Sequence, residues 1–170
     1  MADGGWDMVT EFEPHEGNTR DLRDAFSRFV SGVTVVTTAS DQGPVGITAN
    51  SFSSLSLDPP LVLWSPYTGS RRFPFFEHAE YFAIHILSAD QEYLCHDFAK
   101  SPFGFDNAEV SFNTQNVPLI ENCLARFECR KRAVYPGGDH VIVVGEVRNV
   151  QMRDGSALSF FAGTFRELSV

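Results

Sequence analysis

The chain has 170 residues, 43% of them hydrophobic, with sixteen Phe, three Cys and a formal net charge of −9. That is enough apolar material for one domain with a substantial core, and it excludes a disordered segment. The acidic balance argues against nucleic acid and anionic membrane surfaces as partners, so an anionic ligand needs a local cationic pocket.

No run approaches the roughly 18 apolar residues of a membrane span. Asp3, Asp7, Glu11 and Glu13, with no basic stretch beside them, do not read as a secretory signal. Cys95, Cys123 and Cys129 are odd in number and form no C-x-x-C pair, which predicts a reduced, cytoplasmic protein. Cys95 and His96 are adjacent, a poor spacing for ligating one metal, so no metal site is expected.

Residues 1–18 are polar and acidic and read as an arm, ordered against a partner subunit; the folded domain is expected over 19–170. Leu22, Phe26, Phe29 and Val30 recur at helical spacing after a cap at Asn18 or Thr19, and Ser31-Gly32 is expected to end that helix. Val33 to Thr38 is rich in β-branched residues and predicts a strand, and Asp41-Gln42-Gly43-Pro44 predicts a turn. Val45 to Phe52 returns as a second strand, which Ser53 to Ser56 continue. Asp58-Pro59-Pro60 breaks the pattern before a strand at Leu61 to Ser65. A loop at Gly69 to Arg72 and a helical turn at Phe73 to Glu77 follow, then a strand from Tyr81 to Leu87.

Ser88 with Gln91 reads as a capping box opening a helix from Ala89 to about Phe98. Lys100 to Pro118 lacks periodicity, and its Phe103, Phe105 and Phe112 suggest a packed surface loop. Leu124 to Val134 and Asp139 to Val147 are long strands joined by a turn at Tyr135 to Gly138, the second apolar enough to be buried on both faces. After a turn at Arg153 to Ser156, Phe160 to Leu168 is expected to close the sheet. Many short-spaced strands with few helices predict a mainly β fold, a closed antiparallel barrel with appended helices.

Gly46-Ile47-Thr48-Ala49-Asn50-Ser51-Phe52 is the most informative stretch. Short hydroxyl and amide side chains beside exposed backbone N–H groups suit a phosphate, and an aromatic can cover a flat ring. The same residues also read as a polar strand end with turn chemistry. No G-x-G-x-x-G follows a strand, so no Rossmann nucleotide site is expected.

Five segments together resemble the short-chain flavin reductases, the reductase components of two-component flavin monooxygenases. They are Arg23 to Phe26 running into Ser31 to Thr37, then Gly46 to Phe52, Asp58 to Leu61, Gly138 to Ile142 with Gly145 to Val147, and Phe161 to Phe165. The resemblance covers about Thr19 to Leu168. It implies a split β-barrel of the FMN-binding type, a homodimer, and hydride transfer from NADH or NADPH to FMN or FAD. It also implies an oxygenase partner that receives the reduced flavin.

Carried onto this sequence, the resemblance puts Gly46, Ile47, Thr48, Ala49, Asn50, Ser51 and Phe52 in the flavin loop. Thr48, Asn50 and Ser51 offer donors, Ala49 lets the ring approach, and Phe52 either packs near it or fills the core. Ser65, Ser70 and Arg71 fall in a second ligand-facing segment, with Arg71 a forked phosphate donor or a solvated loop residue. Phe98 lies near the flavin or in the core. His140, opening a strand after a Gly-Gly turn, is the candidate for nicotinamide chemistry or else a structural histidine. His15, His78, His85 and His96 read as surface or core residues. Phe165 stands where relatives often carry tyrosine. The competing functions are a flavin-dependent oxidase or oxygenase on the same barrel, and a flavin-binding module without turnover.

Overall fold

The computed structural model describes residues 9–169. The N-terminal half of the expected acidic arm, residues 1–8, lies outside the described residues. The first helix, α1 (Thr19–Phe26), ends earlier than its apolar spacing suggests, with Ser27 as C-cap. Ser31–Gly32 form a short strand, β1, rather than a helix terminus.

The main body is a seven-stranded sheet in which every neighbouring pair is antiparallel. Its strands are β2 (Thr34–Ser40), β3 (Gly43–Ala49), β4 (Ser53–Leu57), β5 (Pro60–Trp64), β6 (Tyr81–Ile86), β9 (Ala125–Gly137) and β10 (His140–Met152). The spatial order is β3-β2-β6-β9-β10-β5-β4. A closed barrel is therefore not formed: β3 and β4 are the two edges and do not pair. They are nevertheless consecutive in the chain, joined by Asn50, Ser51 and Phe52. The four residue steps from Ala49 to Ser53 reach at most about 14 Å, so the sheet must curl until its edges approach at this end. Ser53 to Ser56 thus do not continue the second strand. They cross to the opposite edge, because the backbone breaks from the ladder at Asn50.

Phe160 to Leu168 also departs from expectation. Ala162 and Gly163 take φ values of 48° and 80°, a left-handed pair that reverses the chain. The segment becomes a hairpin of β11 (Ala157–Phe161) and β12 (Thr164–Leu168), which joins β1 in a separate three-stranded sheet. In the irregular stretch after residue 100, β7 (Val110–Phe112) pairs with β8 (Pro118–Ile120).

Two apolar clusters hold the layers together. Val36, Val45, Trp64, Phe76, Phe82 and Ile84 form the cluster on one side of the sheet. Val33, Val35, Leu87, Leu94, Phe98 and Leu158 pack the other side beneath α3 (Glu92–Lys100). Each fully buried aliphatic or aromatic side chain contributes about 1.5–3 kcal/mol. The Ser88 backbone N–H donates to Gln91 Oε1 at 3.2 Å, closing the start of the turn that leads into α3. The short helix α2 (Phe73–His78) carries Phe76 into the first cluster.

His85 is a core residue with a fixed tautomer. Its Nδ1–H donates to the Val35 carbonyl at 3.0 Å, and its Nε2 accepts from the Ile120 N–H at 3.0 Å. Burial lowers its pKa to about 3. The strand β10 is buried only at Val143 to Gly145, with its later residues exposed, so it is not enclosed on both faces along its length. None of the described helices is long and apolar enough to cross a membrane.

Candidate functional site

The tight β9–β10 connection places the first chemically distinctive side chain. Gly137 pairs with His140, leaving only Gly138 and Asp139 between them. Gly138 sits at φ 74°, a conformation glycine adopts without a Cβ penalty. His140 therefore opens β10 at the rim of the sheet. The loop after β5 is fastened to this rim. Val141 N donates to the Pro66 carbonyl at 3.2 Å, and Tyr67 and His140 form an isolated β-bridge. Thr68 grips the Asp139 carbonyl twice, through its N–H at 3.0 Å and its hydroxyl at 2.8 Å.

The Asn50–Phe52 connection is fastened from the other side. Ser51 Oγ donates to the Ser65 carbonyl at 3.2 Å and accepts from the Ser65 N–H at 2.9 Å. The result is a cleft of about 340 Å³ lined by Ile47, Thr48, Ala49, Asn50, Ser51, Ser65, Ser70 and His140, together with Trp64, Pro66 and Tyr67. Eight of the residues singled out from sequence thus converge on one space, from three segments far apart in the chain.

Their chemistry is uneven. Thr48 Oγ1 is buried and has no hydrogen-bond partner, a state that ordinarily costs about 1–3 kcal/mol unless a ligand or water answers it. Thr48, Ala49 and Asn50 also line an adjoining cleft of about 200 Å³ with Val33, Phe160 and Phe165. Among the described residues, the side chains of Asn50, Ser65 and Arg71 make no hydrogen bond or ion pair. Ser70 Oγ accepts from the Arg72 N–H at 3.2 Å, which leaves its own proton to donate. Ser51 is the exception, with its hydroxyl committed to the Ser65 backbone.

His140 Nδ1 lies 2.7 Å from Asp139 Oδ1. Hydrogen bonding from His140 holds the Asp139 carboxyl below its ordinary value. An ionised carboxylate only accepts, so this contact assigns the ring proton to Nδ1 and leaves Nε2 as an acceptor in the neutral ring.

Four residues fall outside the cleft lining. Phe98 is 1% exposed and packs edge-on against Phe105 at 4.8 Å in the second cluster. Gly46 is buried where the Phe98 ring presses on β3. Phe52 stacks on Phe127 at 5.6 Å and packs against the first cluster. Arg71 is exposed on the adjacent loop. Its neighbour Arg72 donates to the Phe98 and Ala99 carbonyls at 2.7 and 2.9 Å and ties that loop to α3. Trp64 and Tyr67 line the cleft without having been singled out from sequence. The only local hint at Tyr67 is an aromatic in a Pro-Tyr-Thr-Gly turn.

A larger cleft of about 490 Å³ lies elsewhere. It sets Asp90, Glu92 and Glu167 against Arg153 and Arg166, and it shares no lining residue with the cleft at His140, meeting only the adjoining one at Phe165. The smaller cleft combines unanswered donors, which suit an anionic, hydroxyl-bearing tail, with aromatic walls that suit a planar ring. Its residues fit a flavin nucleotide.

The flavin reductase-like domain family matches residues 26–169. The chain is 49% identical over 158 residues to an FMN reductase (NADH), SmoA, of Agrobacterium fabrum, covering 93% of this chain and 91% of that one. It is 32% identical over 148 residues to HsaB of Rhodococcus jostii, the reductase subunit of a flavin-dependent monooxygenase, covering 86% of this chain and 76% of that one. Among solved structures, the NADH:FAD oxidoreductase SgcE6 of Streptomyces globisporus, in complex with NAD and FAD fragments, superposes with a TM-score of 0.86 at 34% identity. That match covers 94% of this chain and 98% of the other. The chain belongs to the flavin reductase-like family.

Proposed function

We propose that this protein is an NADH-dependent flavin reductase that supplies reduced flavin to a separate oxygenase component. The observation that carries this reading is the single cleft in which the Thr48–Ser51 edge, Ser65, Ser70 and His140 converge. When bound, a flavin supplies a ring that accepts hydride from nicotinamide. The protein binds and orients. Thr48, Asn50, Ser65 and Ser70 donate to the phosphate, the hydroxylated tail or the ring edge, and Arg71 brings positive charge to a loop of an otherwise acidic chain. His140, held by Asp139, presents Nε2 to the carboxamide of nicotinamide. No acid–base residue is required for hydride transfer itself, so the roles left to side chains are alignment and exclusion of water.

The finer features of the reading are a split barrel of the FMN-binding type, a homodimer and a cytoplasmic location. The curled sheet whose edges approach at Asn50–Phe52 supports the first. Phe26 and Phe29, 69% and 81% exposed, are apolar surface of the kind that a second subunit covers. Free buried Cys95, Cys123 and Cys129 are compatible with a reducing compartment.

The test is loss of the NADH absorbance band on adding catalytic protein to excess FMN or FAD. Rapid NADH loss with free flavin as co-substrate is the expected result. Tight flavin retention with negligible NADH oxidation would overturn the reading in favour of an oxidase or a carrier.

A further inference from the structure

Tyr67 stands at the lip of the cleft with 49% of its surface exposed, and its ring is bounded on two sides. Gly69 lies directly beneath it: a Cβ at position 69 would come 2.6 Å from both Cζ and Oη of Tyr67. Only a residue without a side chain leaves the ring that room. On its flank the His140 ring lies 5.5 Å away, centroid to centroid, tilted by 49°. The backbone is fixed as well, through the Tyr67–His140 bridge and the two hydrogen bonds from Thr68 to the Asp139 carbonyl.

A tyrosine that served only to anchor this loop would be buried and would use its hydroxyl. Tyr67 does neither, because its hydroxyl makes no hydrogen bond among the described residues and the loop is already anchored by Pro66 and Thr68. What remains is a half-exposed aromatic face beside the imidazole, carried on a fastened backbone. Such a face gives large contact area at low entropic cost.

We propose that Tyr67 is a binding residue which, with His140, forms the wall receiving one planar heteroaromatic ring, that of the flavin or that of nicotinamide. This rests on the flavin reductase reading. Gly69 is the positioning residue that lets the wall stand.

The experiment uses the full chain and the variants Tyr67→Ala, Tyr67→Phe and Gly69→Ala, with thermal melts to confirm folding. FMN affinity is measured by quenching of flavin fluorescence, and kcat and KM for NADH by steady-state oxidation. Tyr67→Ala is expected to weaken one ligand about tenfold. A raised Kd for FMN identifies the flavin ring, and a raised KM for NADH with FMN affinity intact identifies nicotinamide. Tyr67→Phe should behave like the wild type, and Gly69→Ala should follow Tyr67→Ala by displacing the ring. Changes below about twofold in both measurements for Tyr67→Ala, in a wild type that binds FMN and oxidises NADH, would overturn the wall alone. A wild type that does neither would remove the functional reading and the wall with it.

Discussion

Gly46 and Phe98 share one packing site. A Cβ at position 46 would fall inside the van der Waals envelope of the Phe98 ring, which is itself 1% exposed. Gly46 also donates its N–H to the Pro102 carbonyl at 2.8 Å, so β3 has little freedom to retreat. Gly46→Ala is expected to destabilise the fold by about 1–3 kcal/mol through overpacking. Phe98→Ala alone costs about 3–5 kcal/mol through the cavity it leaves. In the Phe98→Ala background the added methyl meets empty space, so the cost of Gly46→Ala should vanish. Urea denaturation of the four proteins closes the cycle, and strict additivity would contradict the shared site.

His85 predicts an acid-sensitive core. Its folded pKa is about 3 because burial disfavours the charged ring, while the unfolded chain titrates near the ordinary value of 6.5. The unfolded state therefore binds more protons between these values, and stability falls as pH is lowered from about 6.5 towards 3. Above that window the group has no pH effect. The expected loss is about 1.4 kcal/mol per pH unit, or about 2 kcal/mol by pH 5. His85→Gln will be less stable at neutral pH but should lack this component. If thermal melts of the wild type and of His85→Gln have the same pH slope between neutrality and pH 5, the buried neutral imidazole is not its origin.

The elements legible in the sequence are those specified by neighbours in the chain. The β-branched run from Val33 marks β2, and the Asp41–Pro44 turn signal marks the reversal into β3, although Gly43 and Pro44 themselves pair with Ser40 and Ala39 as the first residues of β3. The expected turn at Tyr135 to Gly138 puts His140 at a rim, although Tyr135, Pro136 and Gly137 belong to β9 and the chain reverses at Gly138 and Asp139. Ala162 defeats the same approach, because a left-handed alanine is not announced by residue type, and a hairpin with its own sheet was hidden as one strand. Gly46 carries a ligand-facing expectation and Phe98 is open between the flavin and the core; packing complementarity between α3 and β3 places Phe98 in the core, with Gly46 against its ring. Tyr67 becomes a site residue only when Thr68 meets Asp139, 71 positions away. Eight of the candidate residues, those that line the cleft, were visible as residue types. Which groups were already committed to backbone partners was not.

Ser51 illustrates that commitment. Both hydrogen bonds of its hydroxyl go to Ser65, so it serves as a strap between the Asn50–Phe52 connection and the end of β5. Ser51→Ala should cost about 1 kcal/mol of stability. It should also weaken FMN binding indirectly, by loosening the segment that carries Thr48 and Asn50. Thr48→Val, which keeps the shape and removes only the unpartnered hydroxyl, should weaken FMN while leaving stability equal or improved. Calorimetric melts with flavin-fluorescence titrations separate the two. A Thr48→Val protein that binds FMN normally would show that the buried hydroxyl does not meet the ligand.

Asp139 and His140 predict a dependence of one residue on the other. His140→Ala is expected to lower kcat/KM for NADH about 10- to 100-fold, the range for losing an aligning contact, with FMN quenching preserved where the Tyr67–His140 wall receives nicotinamide. Asp139→Ala should act in the same direction but more weakly, since it releases the ring from its tautomer and orientation without removing it. Because Asp139 acts through the imidazole, adding Asp139→Ala to His140→Ala should cost nothing further. The Asp139 carboxyl is held below its ordinary value, first by the hydrogen bond from His140. It therefore stays ionised throughout the range above about pH 5, and any pH dependence of NADH use there must come from another group. Steady-state kinetics of the single and double variants across that range decide the matter. An Asp139→Ala penalty that persists undiminished without the histidine would mean that the carboxylate meets the substrate directly.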